Sequence, residues 1–291
     1  MVADQRRSVA YSQNFIKRPA LARKLIAGST IAEHDLVIEI GPGRGTLTRE
    51  LAARCRQLVA IEKDPALAGR LSRELHACGN VAVFQADILD LPLPLTPYKV
   101  FANIPFNITA AIVAKLTDAA APPEDAWLAV QREAAARFIG SPRTTLAALL
   151  IQPWFDLSIT HWFRHDDFVP PPRVEVVLLR FNKRGPPLVA DTERQPYRDF
   201  VTYGFTAWQP TVRDAYRDLF STRELASIAA EMNIDLRRRP SALPFEHWLA
   251  LFRRFAGEAS SRQRQLIAGA EERLREQQGR LVKQHRSRAR R

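Results

Sequence analysis

Cysteine is scarce: the 291-residue chain has only Cys55 and Cys78 and no Cys-x-x-Cys pair. That excludes a disulfide-built scaffold and fits reduced thiols in the cytoplasm, the expected location. No cysteine and histidine cluster has ligand spacing, so no metal is expected. No apolar run reaches the roughly 18 residues of a membrane span. Met1 to Tyr11 is polar, with no apolar core of a secretion signal. Glycine is sparse as well, at 12 residues, yet three fall close together as Gly41, Gly43 and Gly45. No Gly-Lys-Ser/Thr follows them, which excludes a P-loop. Thr46 stands where the dinucleotide fingerprint needs its third glycine.

What is present describes a globular protein. Hydrophobic residues make up 46% and charged residues 25%, enough for a real core. The length suits one larger domain and one smaller one, with a monomer expected. A net charge of +12 points to a polyanionic partner, most often nucleic acid. Half of that excess lies in Gly257–Arg291, where ten basic residues face four acidic ones, a local net of +6.

The apolar pattern predicts strands at 36–40, 58–62, 81–85, 99–103 and 126–131. Helical segments at 46–55, 65–75 and 109–116 separate them, and another, at 19–27, precedes the first. Strands alternating with helices at this spacing predict an α/β fold with a Rossmann-like, doubly wound parallel sheet. A hairpin over 157–163 and 174–181 closes one edge. The Pro- and Gly-containing stretch at 182–187 reads as a linker. Beyond it, Ser221 and Glu224 have capping-box spacing ahead of an apolar-periodic run, and 245–255 is amphipathic. The expected organisation is a basic arm at 1–12, a catalytic domain at 13–182, a helical RNA-binding domain at 190–256, and a basic, disordered tail at 257–291. The tail has too little apolar surface for a core.

The glycines follow a strand and precede a helix, where a backbone can bend sharply and approach a ligand. Glu62 ends the next strand and can accept both hydroxyls of a ribose. Asp87 ends the third and can accept from an adenine amine, with Ile88 beside it to pack on the ring. Asn103 ends the fourth. All four features fall on one carboxyl edge, where α/β sheets bind ligands. Ribose and adenine ligands without a phosphate cradle suit S-adenosylmethionine. Asn103-Ile104-Pro105-Phe106 can hold a planar base with an exocyclic amine. The Asn103 side chain and a backbone carbonyl accept from the NH2, and Phe106 stacks on the ring. Glu39, inside a buried strand, either accepts from the turn backbone or contacts the methionine amine. Trp127, Trp154, Trp162, Trp208 and Trp248 read as core or interface packing.

Gln13-Asn14-Phe15, the run from Glu39 to Gly45, Glu62, Asp87, Asn103-Ile104-Pro105-Phe106 and Phe168-x-Pro170-x-Pro172-x-Val174 together resemble the rRNA adenine N6-methyltransferases. The resemblance spans about residues 11–181. Ser12 before Gln13, the Ile-Pro-Phe sequence and the stretch from Leu150 to Phe155 look like the erythromycin-resistance (Erm) branch. That branch methylates 23S rRNA and gives macrolide, lincosamide and streptogramin B resistance. The alternative branch is the small-subunit (16S) rRNA adenine dimethyltransferases. The resemblance implies S-adenosyl-L-methionine held by Asn14, the Ile16 backbone, Gly41, Gly43, Glu62, Asp87, Ile88 and Asn103. It makes Asn103, Pro105, Phe106 and Phe168 the catalytic set, with Phe106 and Phe168 stacking on the target base. Phe15 packs rather than binds. No strong general base is required, because the proton leaves an already cationic amine. A non-catalytic RNA-binding protein on the same fold is the reading of another class, and a pure binder would need no cofactor pocket.

Overall fold

A computed structural model describes residues 14–207 and 209–288, with side chains described through residue 280. The expected basic arm at 1–12, Gln13 and Trp208 lie outside the described residues. The chain divides into two compact units.

The first unit runs up to Ala136 and resumes over Phe155–Gly185. Its strands are β1 (Phe15–Ile16), β2 (Leu36–Ile40), β3 (Gln57–Glu62), β4 (Val81–Gln85), β5 (Lys99–Asn103), β6 (Asp125–Gln131), β7 (Phe155–Trp162), β8 (Phe168–Val169) and β9 (Val176–Lys183). Seven form one sheet in the order β4-β3-β2-β5-β6-β9-β7. The ladders from β4 to β6 are parallel, and β9 runs antiparallel to β6 and to β7. The Rossmann-like sheet is therefore present, with the expected hairpin at its edge. β2 reads Leu-Val-Ile-Glu-Ile and is buried almost throughout, as a central parallel strand should be. Helices α1 (Pro19–Ala27), α2 (Thr46–Ala52), α3 (Pro65–Leu75) and α4 (Thr109–Thr117) connect the strands. Leu25, Val37, Leu51, Leu58, Phe101 and Trp127 belong to one buried cluster beneath the sheet.

The boundary differs from the expected catalytic domain. Residues 137–154 group with the second unit, together with everything from Pro186 onward. They hold the end of α5 (Arg132–Ile139) and α6 (Leu146–Ile151), and Tyr197 donates its buried hydroxyl to the Leu149 carbonyl at 2.9 Å. Tyr197 lies on α7 (Arg194–Thr206), which is followed by α8 (Val212–Ala215), α9 (Thr222–Glu231), α10 (Phe245–Glu258), α11 (Ser261–Ile267) and α12 (Ala270–Arg288). Ser221 and Glu224 form the capping box that starts α9. Tyr197, Phe200, Tyr216, Trp248, Phe252 and Phe255 fill the core of this unit.

The expected disordered tail is a correction: Ser261–Ile267 and Ala270–Arg288 are helical. A polar network docks them, together with a small apolar contact in which Ile267 and Ala270 are buried. Glu271, 4% exposed, accepts from Arg198 Nε at 2.7 Å and Nη2 at 2.6 Å. Asp199 accepts from the backbone N–H groups of Gly269 and Glu271, both at 3.0 Å. Burial pushes the Glu271 carboxyl up, but the Arg198 guanidinium and then Arg275 outweigh it and hold the group below its usual range.

Candidate active site

Strand order places the site. The chain steps from β2 outward to β3 and β4, then returns to the other side of β2 for β5. Loops leaving β2 and β5 therefore diverge at a topological switch point, the crevice where α/β sheets take ligands. The glycine turn leaves β2, and Asn103 ends β5.

Gly41, Gly43 and Gly45 all have positive φ, at +67°, +55° and +77°. Gly43 is needed for a second reason: a Cβ there would lie 2.3 Å from Phe15 Cε1. The Phe15 ring rests on the turn, with the Arg44 guanidinium 5.2 Å from its centroid. Phe15 packs on the turn in this way and also lines the cleft beside Asn103. The Gly43 N–H donates to Glu62 Oε2 at 3.0 Å, and the Asp64 N–H donates to Oε1 at 2.9 Å. Glu62 is only 2% exposed, and its oxygens each keep a further lone pair for a ligand hydroxyl. Nothing in the local sequence signals that this carboxylate also pins the glycine turn.

Asp87 Oδ2 takes the Lys63 ammonium at 2.8 Å, and Oδ1 accepts from the Leu89 N–H at 3.0 Å. These two partners, Lys63 first, hold its carboxyl below the usual range. No sequence signal marked Lys63. Ile88 is 4% exposed, so it backs the site more than it lines it.

Asn103 donates its side-chain N–H to the backbone carbonyl of Asn14. That hydrogen bond leaves Oδ1 as the free acceptor. Asn14, Phe15, Gly41, Asn103, Ile104, Pro105 and Phe106 line one small cleft. β1 is fixed beside it by pairing with β8, Ile16 opposite Phe168. Ile16 keeps its side chain in the core, and Phe106 is half-buried.

Phe168 differs from expectation. It is 1% exposed, packed in the core cluster with the Phe163 ring 5.1 Å away. Its faces are covered, so it supports β1 and offers no surface to a base. Trp127, Trp154 and Trp248 are buried as expected, but Trp162 is 54% exposed. A cleft of about 690 Å³ lies in the second unit between Tyr203, Phe205, Arg217 and Arg273, and contains none of the motif residues.

Glu39 is 1% exposed, and neither carboxylate oxygen has a hydrogen-bond partner among the described residues. The turn backbone does not use it. Burial, only partly offset by the neighbouring Thr48 hydroxyl, pushes its carboxyl up to about 8. Among the described residues no group of three or more side chains could hold a metal. Two carboxylates, Glu62 and Asp87, with no phosphate cradle fit a phosphate-free nucleoside, and Glu39, held protonated by burial, would give up its proton to a positive charge held nearby.

A Rossmann-like sheet with this edge defines an S-adenosylmethionine-dependent methyltransferase. Comparison with known proteins narrows the class. The family profile described as ribosomal RNA adenine dimethylase matches residues 4–256, and the chain belongs to that family of rRNA adenine methyltransferases. It is 31% identical over 255 residues to a ribosomal RNA small subunit methyltransferase A of Acaryochloris marina, covering 83% of this chain and 94% of that protein. It is 35% identical over 195 residues to an rRNA adenine N-6-methyltransferase of Aeromicrobium erythreum, covering 66% of this chain and 57% of that one. The solved structure of the 23S rRNA methyltransferase ErmE superposes with a TM-score of 0.77 at 27% identity, over 84% of this chain and all of that one. Among the described residues no helix is long and apolar enough to cross a membrane.

Proposed function

We propose that this chain transfers a methyl group from S-adenosylmethionine to the exocyclic N6 amine of one adenine in rRNA. The single observation behind the site assignment is the Asn103 side chain, pinned by the Asn14 carbonyl beside Pro105 and Phe106 at the sheet's switch point. When bound, S-adenosylmethionine supplies an electrophilic methyl group on a sulfonium. Glu62 and Asp87 are assigned to its ribose and adenine, with Gly41, Gly43, Asn14 and the Ile16 backbone around it. The attacking amine has its lone pair delocalised into the ring. Oδ1 of Asn103 and the Ile104 carbonyl accept from that amine, favour a pyramidal nitrogen and orient its lone pair. Phe106 stacks on the base, which must first leave its own stack. Positioning supplies most of the acceleration.

The small-subunit rRNA is the better supported substrate. Relatives named for that activity match over 86% to 94% of their own length, the Acaryochloris marina protein over 94%, against 57% for the Aeromicrobium enzyme. The second reading is 23S rRNA, with macrolide, lincosamide and streptogramin B resistance. Two observations favour it: the 35% identity to the Aeromicrobium enzyme and the likeness to ErmE. Either substrate implies a cytoplasmic enzyme. Primer extension on both rRNAs from cells expressing the chain decides between them. A new stop in 16S rRNA upholds the first reading, and one in 23S rRNA the second.

A further inference from the structure

Trp162 is the residue the expected chemistry leaves unused. It ends β7, the outermost strand of the seven-stranded sheet. Across the ladders Asn103 pairs with Ala129, Ala129 with Leu178, and Leu178 with His161. Trp162 is the next residue, opposite Val177. It therefore stands on the same carboxyl edge as Asn103, three ladder steps away, about 14 Å at the usual strand spacing. A register irregularity between Ile159 and His161 precedes it, the kind of bulge that re-aims the residues after it.

A large indole left 54% exposed needs a reason. The connection from β7 to β9 carries Arg164 and Arg173, both exposed and without an ion pair among the described residues. Its acidic groups are largely engaged: Asp167 pairs with Arg18, and Glu175 pairs with Arg132 at 2.9 Å. Asp166 alone is exposed without such a partner. His165 Nδ1 lies 2.8 Å from the Pro172 carbonyl and ties the two arms of the connection together. Trp162 and Val174 (38% exposed) are the two exposed large apolar side chains of this region, a small apolar surface beside two arginines rather than the broad patch of a protein-docking surface. It has the composition of a stacking platform for single-stranded nucleic acid.

We infer that Trp162, flanked by Arg164 and Arg173, stacks on an unpaired nucleotide of the RNA strand that carries the target adenine. The flanking arginines would meet the adjoining phosphates. The site lies apart from the amine-orienting residues and would hold the strand so that the target base reaches Asn103. This rests on the rRNA substrate of the family, which methyl transfer by the wild-type chain tests separately.

The test uses the full chain with single-stranded oligoadenylate and with protein-free rRNA. Trp127, Trp154 and Trp248 are buried and Trp208 lies outside the described residues, so the quench by oligoadenylate that Trp162→Phe removes is the part that belongs to Trp162. Trp162→Phe keeps an aromatic face: it should lose that part of the quench and keep RNA affinity within about twofold. Trp162→Leu keeps only apolar bulk: it should weaken RNA affinity and raise the Michaelis constant for RNA roughly 5- to 100-fold. Cofactor affinity should stay at the wild-type value in both variants and reports that they are folded. An unquenched wild type at saturating RNA, wild-type affinity in Trp162→Leu, or equal loss in the Phe and Leu variants would overturn the assignment. An enzyme that methylates rRNA yet shows any of these results overturns the stacking site alone.

Discussion

Asn103 donates its side-chain N–H to the backbone carbonyl of Asn14, 89 residues away in sequence. The hydrogen bond joins the end of β5 to the segment that leads into β1, and it decides which atom of the amide faces a ligand as acceptor. An aspartate could still accept hydrogen bonds but could not donate to Asn14.

Asn103→Ala and Asn103→Asp should therefore both cut turnover by roughly a hundredfold or more, since misplacement of a reacting group costs that much. In both variants the amides of Phe15 and Ile16 should exchange hydrogen faster. Near-normal turnover in Asn103→Asp would show that the amide acts as an acceptor only and that its tie to Asn14 is incidental.

Glu62→Ala should weaken cofactor binding by roughly 1.5–3 kcal/mol, the usual loss of charge-assisted hydrogen bonds. Part of this loss comes from freeing the Gly43 N–H, so Glu62→Gln, with one acceptor oxygen, should fall in between. Calorimetry with S-adenosylmethionine measures it, and unchanged affinity in Glu62→Ala removes the residue from the site.

The Glu39 carboxyl carries a raised pKa of about 8. The folded state therefore holds a proton that the unfolded chain releases above its ordinary value of about 4.3. Its contribution to stability should fall as pH rises between those values, by up to roughly 1.4 kcal/mol per pH unit. Glu39→Gln should flatten that decline in the cofactor-free protein, as read by thermal melts at pH 6 and pH 8. A decline as steep as in the wild type would place the titration elsewhere.

Arg198→Ala should destabilise the second unit by about 3 kcal/mol or less, because it takes the main partner from a buried carboxylate and leaves it only Arg275, at 2.8 Å, and Gln195. The depressed pKa of Glu271 gives the opposite sign from Glu39. Stability from the ion pair is full above the unfolded pKa and is lost as pH falls through the lower folded value. Denaturant melts of wild type and Arg198→Ala should converge in acid. A constant difference down to low pH would contradict the ion-pair account.

Deleting 281–291 removes five basic residues and leaves the docked part of α12 in place. For every phosphate that this segment neutralises, its removal should lower the salt slope of RNA binding by roughly 0.7–0.9. Deletion from 257 should also destabilise the protein, by taking from Arg198 its carboxylate partner Glu271. Identical salt slopes for the full chain and the 281–291 deletion would mean that this segment does not touch RNA.

The sheet was legible because its central strands are short, largely apolar runs bounded by turn residues or by a charged or amide residue. Leu36–Ile40, Val81–Gln85 and Lys99–Asn103 begin and end where the pattern placed them. The carboxyl-edge residues were legible for the same reason: Glu62 and Asn103 terminate such runs. What escaped depends on tertiary structure. Lys63 beside Asp87 and the Asn14 carbonyl on Asn103 leave no local pattern. Phe168 reads as a base-stacking residue from its motif, but only packing shows its ring covered. Trp162 reads as core or interface packing by residue type, and its place on the edge strand rules out the core. The helices beyond residue 257 carry too few apolar residues to predict, because Arg198 and Asp199 dock them through charge and backbone hydrogen bonds.

The central claim is methyl transfer to the N6 amine of an rRNA adenine, and nucleoside analysis tests it most directly. Protein-free 16S and 23S rRNA are incubated separately with the chain and S-adenosylmethionine labelled in its methyl group, then digested and resolved by mass spectrometry. The account predicts label in N6-methyladenosine or N6,N6-dimethyladenosine from one of the two RNAs, and its loss with Asn103→Ala. Label in another nucleoside, in neither RNA, or undiminished in Asn103→Ala would contradict it.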